Sequence, residues 1–297
     1  MANDVPDRAV PGAFRHDSEP SVRRVFGALI ATRQMLTPTP SSSQAVGSGA
    51  VTCSITDGIA TVSFYHPKSN SLPAALLADI AGRIAAVGKH PATRVVVIRS
   101  EGAGAFCAGA SFDELKRIDS PEAGKEFFMG FARVVLAMRN CPKPIVTRVQ
   151  GKVVGGGVGI VAASDYVIAI PESPVRLSEL AVGIGPFVVG PAIERKIGSA
   201  AFSGLALDAD WRDAAWCAAH GLYTRICDNV QALDQVMGTL AHKLAAFNPD
   251  AISQLKAALW TGTPPWDKLL EERAAMSGTL VLSDFTRNAI AAFERRS

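Results

Sequence analysis

Short apolar runs of strand length alternate with longer stretches of helical periodicity from residue 50 onward. VTCSI, IATVSF, RVVVIRS, PIVTRV and YVIAI are rich in branched apolar residues, as strands buried in a sheet are. Between them the spacing predicts helices over 72–87 and 124–138, and residues 229–295 read as helical with few breaks. In that last stretch Leu233, Val236, Met237, Leu240 and Leu244 fall on one face. Strands that alternate with helices call for parallel pairing through right-handed crossovers, and the helical tail calls for a separate C-terminal layer. The expected fold class is α/β.

The first 48 residues break this pattern with prolines at 6, 11, 20, 38 and 40, a serine run at 41–43 and a Gly-Ser-Gly at 47–49. They read as an extension and linker (1–48) before a core at 49–228 and a helical C-terminal region at 229–297. Within the extension Val22, Val25, Phe26, Leu29 and Ile30 follow helical spacing, which predicts one amphipathic helix able to dock on the body or on a partner. Arg23, Arg24 and Arg33 suggest a transit peptide, but Asp4, Asp7, Asp17 and Glu19 oppose that reading. Met35 offers an alternative start.

Composition narrows the function classes. At 297 residues and 48% hydrophobic the chain can bury a large core. A net charge of +3 is too small a surplus to imply nucleic acid as a partner. Five cysteines without a CxxC pair argue against a disulfide framework and a structural zinc site, and fit a reducing cytoplasm. Gly and Pro interrupt the richest apolar runs before membrane-spanning length, so no membrane partner is expected.

The candidate chemistry lies in two glycine turns. GAGAFCAGASFDEL follows the strand RVVVIRS, and its small residues leave the amide of Ala110 uncovered. Gly155, Gly156 and Gly157 open a helix predicted over 158–163, where the free amides and the positive end of the helix dipole favour an oxyanion. Two such amides make an oxyanion hole, whose single donors are worth about 100- to 1,000-fold in rate. For either turn taken alone, close packing between layers is the commoner use of such glycines. Gly157, Gly159 and Ala162 also fit GxGxxA, with Glu179 in the place of an acidic ribose ligand, but the helix is short for a dinucleotide-binding crossover. No GK[ST] occurs, so a P-loop is excluded, and no GxSxG elbow is present. His66, His90 and His220 are isolated and lack metal spacing, and Ser111 has no histidine nearby in sequence. Taken alone, Glu179 reads first as a helix-capping surface carboxylate.

Five segments in order along the chain resemble the crotonase, or enoyl-CoA hydratase and isomerase, superfamily. AFCAGASFDEL (105–115) is similar to its AFCAGADL loop, and VQGKVVGGGVGIVAASDYVIA (149–169) to its triple-glycine turn. LSELAVGIGP (177–186) is the third match; HPKSNSLP (66–73) and the stretch 197–226 look like its N-terminal loop and helix pair. The resemblance covers residue 50 to the C-terminus. It implies a crotonase-like spiral of ββα units, a homotrimer or hexamer, and an acyl-CoA substrate. No metal and no redox cofactor are implied, since coenzyme A enters as part of the substrate.

By the same resemblance Ala110 and Gly156 supply the oxyanion-hole amides, and Glu179 is the catalytic carboxylate. Ala108, Ser111, Phe112 and Asp113 fall where the family contacts the coenzyme A thioester, and Lys68 where it meets phosphates. The position of the family's first glutamate is Gly159, and Ser111 replaces an aspartate common after the hole alanine. Hydration needs water activated and a proton delivered to the α-carbon, so one glutamate must serve both roles or the reaction is a Δ3,Δ2-enoyl-CoA isomerisation. The text around the turn looks most like bacterial methylglutaconyl-CoA-type hydratases of branched-chain degradation, which favours hydration. A non-catalytic binder of acyl-CoA or RNA stays open as a third reading, opposed by the retention of both turns together with Glu179.

Overall fold

The computed structural model describes residues 49–294. The helix read over 22–30 and the rest of the 1–48 extension lie outside the described residues.

Strands β1 (Ala50–Thr56) and β2 (Ile59–Tyr65) form a hairpin turned by Asp57 and Gly58, both at positive φ. β3 (Val95–Ser100), β4 (Ile145–Val149), β6 (Tyr166–Ala169) and β8 (Arg225–Ile226) then add in parallel, in the order β1-β2-β3-β4-β6-β8. The first pair is antiparallel, because a two-residue connection is too short for a crossover. A second sheet, β5 (Val153–Val154) with β7 (Val175–Arg176), is too short to show any periodicity in sequence.

Helices alternate with the strands: α1 (Ala74–Lys89), α2 (Phe112–Leu115), α3 (Pro121–Asn140), α4 (Gly156–Ala162), α5 (Gly190–Asp208) and α6 (Ala214–Ala219). The tail supplies α7 (Val230–Ala245), α8 (Pro249–Leu259), α9 (Trp266–Leu280) and α10 (Asp284–Glu294). α3 starts three residues before the predicted 124–138 because Ser120 caps it, its Oγ accepting from the Ala123 N–H at 3.3 Å, with Pro121 in the first turn.

Alternation along the strands splits the core into two faces. Val96, Ile98, Ile145, Val149 and Val167 pack with α1 and α3, while Val95, Val97, Val146 and Ile168 pack with Leu233 and Met237 of α7. The helical tail is divided between the two faces. α7 covers one face of the sheet, whereas α9 runs along α3 in the cluster on the other. The α3–α9 approach is close enough that a Cβ on Gly124 would lie 2.6 Å from the Gly278 carbonyl oxygen. This contact fixes the helix that lines the site.

Candidate active site

Backbone pairing brings the two glycine turns together. The segment 105–111 is held on one side by Leu72, whose N–H donates to the Gly109 carbonyl at 2.8 Å and whose carbonyl accepts from Ser111 at 3.2 Å. On the other side Cys107 pairs with β5, the Val154 N–H donating to its carbonyl at 2.8 Å. Gly109, at φ +91°, makes the bend between these two contacts, and a Cβ there would lie 3.3 Å from the Val154 carbonyl oxygen. Among the described residues no backbone partner takes the N–H of Ala110, which borders the adjoining pocket.

β5 runs directly into Gly155, whose φ of +54° turns the chain into α4. Gly156 is the first residue of that helix, so its N–H has no intrahelical acceptor, and it lines the same pocket as Ala110. A Cβ at Gly156 would fall 2.5 Å from the Phe131 ring, so the ring of α3 requires glycine there.

Glu179 arrives through β7. The Gly155 N–H donates to the Arg176 carbonyl at 2.9 Å, which sets the following residues beside the triple-glycine turn. The Glu179 carbonyl accepts from Val182 and Ile184 at 3.2 and 3.0 Å, closing a 3₁₀ turn over Leu180–Val182 that ends on Gly183 at φ +83°. Thr286 and Phe285 of α10 back that turn so closely that a Cβ on Gly183 would meet the Thr286 hydroxyl at 2.4 Å. The Glu179 side chain makes no capping bond and turns inward: a Cβ on Gly155 would stand 3.2 Å from its Oε1. Its Oε2 is cut off from water and has no hydrogen-bond partner among the described residues. Burial raises the Glu179 pKa to about 7, against the opposing pull of the Glu179 and Ser178 backbone N–H groups. The surface-cap reading of this residue is thereby replaced by an inward carboxyl that changes charge near neutrality.

The pocket takes in Ala108, Ala110, Phe112, Gly156 and Glu179 of the residues expected at the site. Three others do not line it. Ser111 caps α2, its Oγ accepting from the Glu114 N–H at 3.4 Å, while Lys68 and Asp113 pair with each other at the surface. That pairing holds the Asp113 carboxyl below its ordinary range, chiefly through the hydrogen bond from Lys68.

Sequence reasoning missed the apolar wall: Phe127, Phe128 and Phe131 from α3, Val182 and Ile184 after Glu179, and Val188 and Val189 before α5. The only signal was that residues 127, 128 and 131 share one side of a helix. Val189 has a particular effect. A Cβ on Gly159 would lie 2.4 Å from Val189 Cγ1 and 2.7 Å from its Cβ, so this valine fills the space that a side chain at 159 would enter. Among the described lining residues Glu179 is the one group that titrates. No group of His, Cys, Asp and Glu among the described residues could hold a metal ion.

The arrangement puts two amides without backbone acceptors and one near-neutral carboxyl on a single, largely apolar pocket. That set can stabilise an enolate and move a proton on the adjacent carbon.

A Rhodococcus jostii protein named (7aS)-7a-methyl-1,5-dioxo-2,3,5,6,7,7a-hexahydro-1H-indene-carboxyl-CoA hydrolase is 34% identical over 42% of this chain. That match spans 48% of the relative, so this chain covers about half of its length. The mitochondrial methylglutaconyl-CoA hydratase of Rattus norvegicus is 29% identical over 65% of this chain and 62% of its own. A crystal structure of an enoyl-CoA hydratase from Mycobacterium avium superposes with a TM-score of 0.72 at 26% identity, covering 80% of this chain and 92% of the other. The enoyl-CoA hydratase/isomerase family profile matches residues 54–295. With the profile match over most of its length and the crotonase fold in place, this chain belongs to the enoyl-CoA hydratase/isomerase family.

Proposed function

We propose that this protein is an enoyl-CoA hydratase that works with a single carboxyl group. The thioester carbonyl accepts hydrogen bonds from the Ala110 and Gly156 amides. Water adds through its oxygen to Cβ, the π electrons of the Cα=Cβ bond move to the thioester oxygen, and the enolate forms in the hole. Glu179, as carboxylate, takes the proton lost by water and returns it to Cα, so the enzyme ends as it began. The observation that carries this reading is the inward Glu179, with an unpartnered Oε2, beside two unclaimed amides. Hydratase-named relatives support the direction of the chemistry.

A second reading rests on Val189. With the side-chain space of Gly159 filled, no second acid or base reaches this part of the pocket from α4. One base suffices for Δ3,Δ2 isomerisation: Glu179 takes a proton from Cα of a 3-enoyl thioester and returns it to Cγ as the double bond shifts into conjugation.

The experiment is turnover of crotonyl-CoA, 3-methylglutaconyl-CoA and a 3-enoyl-CoA, following the conjugated thioester absorbance together with release of free CoA. Loss of absorbance that disappears in Glu179→Gln supports hydration. Appearance of absorbance from the 3-enoyl substrate without hydration replaces it by isomerisation, and CoA release would indicate thioester hydrolysis. Silence on every substrate with retained CoA binding would leave a binder.

A further inference from the structure

We infer that the acyl pocket selects uncharged, apolar acyl groups and rejects those ending in a carboxylate. This rests on the acyl-CoA reading above and narrows it to a substrate class. The lining supplies four phenylalanines, at 112, 127, 128 and 131, closed off by aliphatic side chains that include Leu115 and Val189. Among the described residues of the lining none is Lys, Arg or His. Lys68 and Lys116, on the flank of α2, lie outside the lining, and both are paired with Asp113.

The charge already present points the same way. Glu179 is the one ionisable lining residue, and its Oε2 lacks a donor even for itself. A carboxylate brought in on an acyl chain would leave water without gaining a cation, and would face a second carboxyl in a dry, low-dielectric space. The phenylalanine faces and edges instead reward apolar area. A methylglutaconyl group ends in a carboxylate, so the chain parts here from the subgroup its glycine turn most resembles.

The test uses two unreactive saturated esters of equal length, hexanoyl-CoA and adipoyl-CoA, titrated calorimetrically into the full-length protein at pH 8. Because the CoA portion is shared, the ratio of dissociation constants isolates the acyl end. Hexanoyl-CoA is expected to bind about 100-fold more tightly, the scale set by burying an unpaired charge. A ratio below about tenfold would overturn the inference, whatever the enzyme turns over. Placing a cation in the lining, Phe127→Arg, should cut the ratio at least tenfold by improving adipoyl-CoA binding, by the same reasoning. An unchanged ratio with hexanoyl-CoA binding intact would contradict the placement of the acyl end. Failure of both esters to bind would instead refute the acyl-CoA reading itself, and this inference with it.

Discussion

The two walls of the pocket are built by different means. One is backbone: Ala110 and Gly156 present amides from segments pinned by Leu72, Cys107, β5 and β7. The other is side chain: phenylalanines from α3 and valines before α5, gathered from positions far apart in sequence. The backbone wall tolerates almost no addition, since a Cβ at Gly156 or Gly157 would strike Phe131 or Cys107 at 2.5 and 2.8 Å. On the apolar side Val189 fills the space beside Gly159, and the Glu179 Oε2 is cut off from water.

The largest effect should come from the one group that joins the walls. Glu179→Gln is expected to lower kcat/KM by about 100- to 10,000-fold, the usual range for a general acid–base group. The same substitution should stabilise the fold. A carboxyl whose folded pKa is raised from 4.5 to about 7 costs stability as pH climbs between those values, and the full cost is present above 7. The gain in the variant should reach at most about 3 kcal/mol at pH 8 and vanish near pH 4, read from denaturant unfolding at each pH. Equal gains at both pH values would show that the carboxyl is not held out of water.

Next comes the backbone wall. Gly156→Ala should force Phe131 and the turn apart, costing about 1–3 kcal/mol of stability through overpacking and about 100-fold in kcat as one donor moves. Retained kcat would place the oxyanion donors elsewhere.

A smaller effect distinguishes the role of Val189. Gly159→Glu alone should destabilise by about 1–3 kcal/mol, and Gly159→Glu with Val189→Ala should recover much of that loss, a coupling measured by a double-mutant cycle. Additive effects would mean that Val189 does not occupy the space. Smallest of all, Lys68→Ala should leave the melting temperature unchanged, because its pair with Asp113 lies at the surface.

The same division decides what was legible in the sequence. Gly155, Gly156, Gly157 and Ala110 sit in runs of small residues, and runs are visible without a structure. So are the five main strands, whose branched apolar runs need no partner to be seen. β5 and β7 were invisible because two residues have no period, yet they carry Glu179 to Gly155. Val189 stands 30 residues beyond Gly159, and only the close approach of α4 and the segment before α5 reveals that it fills the glycine's space. Lys68 and Asp113 were legible as charges but not as a pair, since their contact depends on how the loop at 66–73 lies over α2.

The measurement that tests the account most directly is the pH dependence of kcat/KM on whichever enoyl-CoA isomer the protein turns over. With Glu179 as the single base, the profile should rise tenfold per pH unit below neutrality and level off above a single ionisation near 7. A profile flat through neutrality, or one needing a second ionisation to fit, would contradict a one-carboxyl site.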